Sequence, residues 1–201
     1  MYKLQSIAIV AAIALLTACY NQSSQANNTE DQTMPMHNMV STTDIKMVAH
    51  RFNDVDPQQF LAIQSITQDY LQIKDALVNG NSSDAAKAAG KMSATLKSVD
   101  KSLFTAAQNE AYESVATGLK TQATQIADNA ADLDQQRNAF ASMSQHMYEL
   151  VKAFGAGTTI YHAHCPMYHD GAMWLSDSKE VRNPFYGDEM MNCGSVQEQI
   201  Q

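Results

Sequence analysis

The sequence predicts an all-α fold, an up-and-down four-helix bundle carrying a loop-rich C-terminal cap. Three observations lead there. Four stretches between residues 56 and 154 repeat apolar residues every three or four positions, the period of a helix with one buried face. The 201 residues include only eight Gly and four Pro against abundant Ala and Gln, a balance that favours helix. After Gly155 the helical period is lost.

The first helix starts from "DVDPQQF". Asp56 is placed to cap, Pro57 suits the first helical position, and Gln59 stands three residues after the cap. Phe60, Ile63, Thr67, Tyr70, Leu71, Lys74, Leu77 and Val78 then recur at helical spacing, until Asn79-Gly80 ends the run. Ala85, Ala89, Met92, Leu96 and Val99 form the narrow stripe of a second helix. Its small residues permit close approach, and Gly90 weakens it by roughly 1 kcal/mol relative to Ala. A third helix is expected from about Thr105 to Asn129, with Tyr112, Val115, Leu119 and Ile126 near one face. A fourth is expected over Leu133 to Phe154, marked by Arg137, Phe140, Met143, Met147, Leu150 and Val151, and closed by Gly155. Short joints make antiparallel neighbours the economical packing.

The flanks differ from this centre. "MYKLQSIAIVAAIALLTACY" has Lys3, an apolar run from Ile7 to Leu16, and then Leu16-Thr17-Ala18-Cys19. The run is too short for a permanent bilayer span and matches an export signal. The tetrapeptide resembles a bacterial lipobox, which implies cleavage before Cys19 and lipidation of its thiol. Tyr20, where an Asp would favour inner-membrane retention, points to the outer membrane. Residues 20–43 are polar and aperiodic, a tether that cannot bury enough surface to offset its chain entropy. Within it Met34, Met36, His37 and Met39 form a candidate mobile catcher of soft metal ions. The expected organisation is therefore a lipoprotein signal peptide over 1–18, a tether over 19–53, the bundle over 54–155 and the cap over 156–201. Ordered structure is expected to begin near Asp54.

The cap concentrates chemistry. Residues 156–201 hold the only Trp, both Cys other than Cys19, three of six His and four of twelve Met, and this clustering weakens a reading of the Met as core filler and the His as solvated loop residues. A long irregular segment in a compact domain is usually crosslinked or functional. "HCPM" sets Cys165 and Met167 two apart, and "GDEMMNCG" repeats the pairing with Met190, Met191 and Cys193. Thiolate and thioether favour Cu(I), and imidazole also suits copper and zinc. Two such motifs could close on one ion. His162, His164 and His169 lie beside the first motif, and His146 late in the fourth helix could reach a site beneath the cap. Two other arrangements stay open: a Cys165–Cys193 disulfide, as an oxidising compartment favours, and zinc held by His162, His164, Cys165 and His169. Trp174 and Leu175 are expected to anchor the cap.

The formal charge of −8, without a basic stripe, argues against nucleic acid as a partner. A nucleophile elbow, a paired-carboxylate signature and a phosphate loop are all missing, so enzyme activity is not expected.

The succession "CPM", "GAMWLS", "VRNPFYG", "MMNCG" resembles the bacterial family catalogued as domain of unknown function 3347. The resemblance extends back through "YLQIKDALV" and "RNAFASMSQHMYELVK", from about Asp56 to Gly194. Members stand alone in exported proteins or are fused to periplasmic adaptor subunits of copper and silver efflux pumps. The resemblance implies heavy-metal handling, with the motif residues falling on Cys165, Met167, Met190 and Cys193. The expectation is a periplasmic, lipid-anchored protein that binds Cu(I), with silver or zinc as lesser candidates. It would serve copper transfer, efflux or resistance, with an efflux adaptor or a cuproprotein as partner. The alternative is a structural or interaction lipoprotein closed by the Cys165–Cys193 disulfide, with no metal.

Overall fold

The computed structural model describes residues 45–201. The signal segment, Cys19, and Met34, Met36, His37 and Met39 lie outside the described residues. Four helices follow the predicted bounds closely: α1 (Pro57–Val78), α2 (Ser82–Lys97), α3 (Ala106–Asp128) and α4 (Leu133–Phe154). Each begins on a side chain that satisfies an otherwise unpaired amide. Asp56 accepts from the amides of Gln58 and Gln59, Asn81 from that of Asp84, and Asp132 from that of Gln135. Thr105 and Gln108 form a reciprocal capping box. The helices pack in chain order, α1 on α2, α2 on α3 and α3 on α4, and α1 also meets α4. Ile63, Tyr70, Leu77, Met92, Leu119, Ile126, Phe140, Met147 and Phe154 are fully or almost fully buried between them.

The all-α expectation is overturned by a four-stranded sheet. Its strands are β1 (Lys46–Val48), β2 (Ile160–Cys165), β3 (Ala172–Ser176) and β4 (Ser195–Ile200), in the order β1-β4-β2-β3. β2 pairs antiparallel with both β3 and β4, while β1 adds in parallel to β4. Two features hide this sheet from a search for periodicity. A bulge between His162 and Ala163 shifts the β2–β4 register, so polar and apolar residues stop alternating along β2. β1 contributes only three residues, with a burial too shallow to leave a pattern. The C-terminal segment is therefore held by backbone ladders, which the loop-rich reading did not foresee. Order also starts earlier than Asp54, because Lys46–Val48 pair with Glu198–Ile200 and His50 donates its amide to the Gln201 carbonyl.

The sheet covers the bundle on the α4 side, where β3 packs. Two polar side chains fix it there. Tyr70, wholly buried in α1, accepts the Leu175 amide at 2.9 Å and shares a 2.8 Å hydrogen bond with Ser144 of α4. One phenol thus joins two helices to β3. Burial pushes the Tyr70 hydroxyl well above its ordinary value, so it stays protonated. Trp174 and Leu175 are buried, in keeping with the anchoring expected of them.

Candidate metal centre

Cys165 ends β2, and Cys193 lies in the loop that leads into β4. Their sulfurs stand 2.8 Å apart, and both thiols are free. The 28-residue separation is bridged by the β2–β3 hairpin and the return loop to β4. Cys165 is completely buried, while Cys193 is partly exposed. The Cys165 partner and burial push the Cys193 thiol up, and the Met167 amide facing its sulfur opposes that.

The motifs around the cysteines act as a mount. Asn183, with no exposed surface, uses all four of its hydrogen-bonding groups. Its side-chain amide donates to the Cys193 carbonyl at 2.8 Å, and its backbone amide donates to the Met191 carbonyl at 2.8 Å. Its side-chain oxygen accepts the Phe185 amide, and its carbonyl accepts that of Gly187. By sequence alone, Asn183-Pro184 favours a turn. The following Pro184, which cannot donate, was the available sign that the Asn side chain would organise this turn.

Phe185 enters the core from that turn. It stacks on Tyr168 at 4.6 Å and meets Trp174 edge-on at 5.9 Å and Phe140 of α4 at 6.0 Å. Such pairs add about 1 kcal/mol each beyond the area they bury. The Tyr186 hydroxyl donates to the Met167 carbonyl at 2.9 Å. The Arg137 guanidinium in α4 donates to the Pro184 carbonyl at 3.2 Å. Gly194 completes the mount. Its φ of +137° suits glycine, and an added Cβ would stand 2.8 Å from both the His164 carbonyl and the Trp174 ring. "CPM", "AMWLS", "NPFYG" and "NCG" are thus four sides of one assembly that holds two thiols together.

The other expected ligands scatter. Met167 is 63% exposed on the loop after Cys165, beside Cys193. Met190 is half-buried, and its carbonyl accepts the Cys193 amide at 3.0 Å. His164 pairs across β2–β3 with Met173, and its ring lies against Gly171. His169 has φ +44° on the hairpin loop, and its Nε2 is 2.7 Å from the Asn138 side-chain oxygen, which also accepts the Tyr168 hydroxyl. His162 packs against the Tyr148 ring at 4.8 Å, with Nδ1 3.7 Å from Glu198. His146 lies against Gly118 of α3, in the interhelical seam and not beneath the sheet. Among the described residues no three His, Cys, Asp or Glu side chains converge on one point. The imidazoles expected beside Cys165 therefore do not converge on it: His162 and His169 are taken up by Glu198 and Asn138, and the His164 ring lies against Gly171.

A second polar cluster, unforeseen from sequence, is centred on Glu198 of β4 and draws on α4 and β1. Glu198 accepts the Tyr148 hydroxyl at 2.5 Å and pairs with Lys46 at 3.0 Å. Burial raises the affinity of Glu198 for its proton, but these two donors outweigh it and hold the carboxyl below its usual range.

The family model described as "Protein of unknown function (DUF3347)" matches residues 66–159. The resemblance to that family is thus shown, and it lies on the helices, from within α1 to the residue before β2. The four C-terminal motifs lie beyond the matched span. No curated protein and no solved structure matches the chain.

Proposed function

We propose that this chain is an exported, lipid-anchored protein that binds Cu(I) in copper handling, transfer or efflux. Cys165 and Cys193 would supply the two thiolates, and Met167 and Met190 would add thioether donors. The carrying observation is the meeting of two free thiols from separate motifs, 2.8 Å apart, with an exposed Met167 on the adjoining loop. Sulfur donors without a converging set of carboxylates or imidazoles suit a soft monovalent ion better than zinc. Cys193 sits on a loop and Cys165 in a strand, so Cys193 is the sulfur free to shift when an ion is admitted. The export signal and Cys19 support the periplasmic and membrane-anchored part of this reading. An efflux adaptor or a cuproprotein would receive the ion by ligand exchange at exposed Met167.

The test is a Cu(I) competition titration against bathocuproine under reducing conditions, with a Cys165→Ser/Cys193→Ser variant alongside. The wild type should withdraw one copper from the chelator and the variant none. Equal competition by the two would sink the thiolate site.

The touching sulfurs also favour a second reading, a structural disulfide with no metal. Closing a loop of this length would stabilise the fold by roughly 3.5 kcal/mol in the chain-entropy picture. Thiols that resist alkylation until reduced, in a protein that takes no copper after reduction, would establish that reading instead.

A further inference from the structure

The two sulfurs differ in access in a way that neither copper nor a permanent staple requires. Cys165 has no exposed surface and is enclosed by the core. Its strand is flanked on both sides, with Cys165 opposite Ala172 and His164 opposite Ser195. Cys193 sits outside that ladder and reaches solvent. A thiolate that opens a disulfide attacks one sulfur while the other leaves, and access decides which is attacked. In this pair only Cys193 offers a sulfur to a large partner. The cysteines are not arranged as C-x-x-C on a helix, so the pair lacks the motif by which dithiol enzymes act on other proteins.

We propose that Cys193 is the site at which a dithiol oxidoreductase switches the pair between a closed disulfide and the open dithiol that takes copper, an inference that rests on the copper reading above. In the opening direction, a thiolate of the reductase attacks Cys193 Sγ. A bond forms between the two proteins, the Cys165–Cys193 bond breaks, and Cys165 leaves as a thiolate that takes a proton. The second thiol of the reductase then attacks its own sulfur in the mixed disulfide and releases Cys193. Two electrons pass to the pair, and the reductase departs as a disulfide. Closure is the reverse exchange with an oxidised dithiol protein. Asn183 and Tyr186 hold Cys193 and Met167 by backbone carbonyls, so the sulfurs change state without the mount being dismantled. Closure consumes both thiolates, so oxidation removes the copper site.

The experiment begins with the full-length protein oxidised by diamide and freed of reagent. It is then mixed with a thioredoxin whose second active-site cysteine is replaced by serine, which arrests the exchange at the mixed disulfide. Peptide mass mapping should find the adduct on Cys193 at least about tenfold more often than on Cys165. An even split, or an adduct chiefly on Cys165, would overturn the proposal, as would failure of diamide to link the two cysteines. In parallel, oxidised and reduced protein are titrated with the Cu(I)–bathocuproine complex. The reduced form should take one copper and the oxidised form none; equal uptake overturns the switch. If the reduced form takes none, the copper reading falls, and the adduct map by itself upholds or overturns exchange at Cys193. No substitution of the protein is needed, so misfolding does not confound either arm.

Discussion

Asn183 holds Cys193 by its backbone, with the side-chain amide 2.8 Å from the cysteine carbonyl and no exposed surface on the asparagine. The position of the partly exposed sulfur therefore depends on a residue with no metal or redox chemistry of its own. Asn183→Ala removes both side-chain bonds and leaves the Phe185 amide without its partner. The expected cost is about 3 kcal/mol, read from the urea midpoint, together with faster alkylation of Cys193 in the reduced protein. An unchanged alkylation rate would show that the loop is positioned by other contacts.

Gly194→Ala tests the same mount from the opposite side. The new methyl meets a backbone carbonyl and the Trp174 ring, and the residue is forced into a conformation glycine alone adopts easily. A loss of about 2 kcal/mol is expected in the same denaturation assay. Wild-type stability in this variant would mean that the approach of the loop to β2 is looser than described.

Tyr70→Phe probes the attachment of the sheet to the bundle. The ring is retained, but the buried Leu175 amide loses its acceptor. Ser144 keeps its bond to the Phe140 carbonyl, so the damage is confined to β3. A cost of about 1–2 kcal/mol is expected, with faster amide exchange in β3 than in α1. Uniform loss of protection across the chain would argue against a local tie.

His162 gives the fold a pH dependence of definite sign. Burial holds the imidazole below its ordinary value of 6.5, against the pull of Glu198, while His164 and Lys152 push the same way as burial. Tyr148 covers the ring but remains a neutral phenol. Above about pH 6.5 the imidazole is neutral in both folded and unfolded chains, and its contribution is fully present. Below that pH the unfolded chain binds the proton first, so stability declines until the folded imidazole protonates as well. Denaturant midpoints from pH 8 to pH 5 should fall more steeply for the wild type than for His162→Gln. Parallel slopes would refute the assignment.

Met167→Ala separates ligation from folding. The side chain is largely exposed, so its truncation should leave thermal stability unchanged. If the thioether is a donor, Cu(I) affinity falls by about tenfold, equivalent to about 1.4 kcal/mol. Unaltered affinity would remove Met167 from the ligand set and leave Met190 as the thioether candidate beside the two thiolates.

The helices were legible because each carried two independent marks, an apolar stripe and a capping residue. At α1 the stripe from Ile63 to Val78 and the Asp56-Pro57 start agree, and the structure places the boundary there. The sheet lacked both. β4 reads Ser-Val-Gln-Glu-Gln-Ile, with too little apolar content to stand out, and β2 is interrupted by its bulge. Long-range pairing of Lys46 with Glu198 leaves no local trace at all. The pairing of Cys165 with Cys193 was visible as a possibility from motif chemistry. The mount was not, because Asn183, Tyr186 and Gly194 act through backbone atoms that a sequence does not display. The histidines misled for a related reason. Spacing by two suggests a shared face, yet His162 goes to Tyr148 and Glu198 while His164 goes to Gly171.

The parallel addition of β1 to β4 has an architectural consequence. Lys46 lies beside Glu198, and Gln201 is three residues further along the same direction, about 10 Å of strand rise. Lys46 and Gln201 thus lie near one another at one side of the sheet. A unit of this kind can be spliced into a surface loop of a host protein without spreading the host's own backbone. That proximity follows from the edge pairing and owes nothing to the chemistry of the thiols.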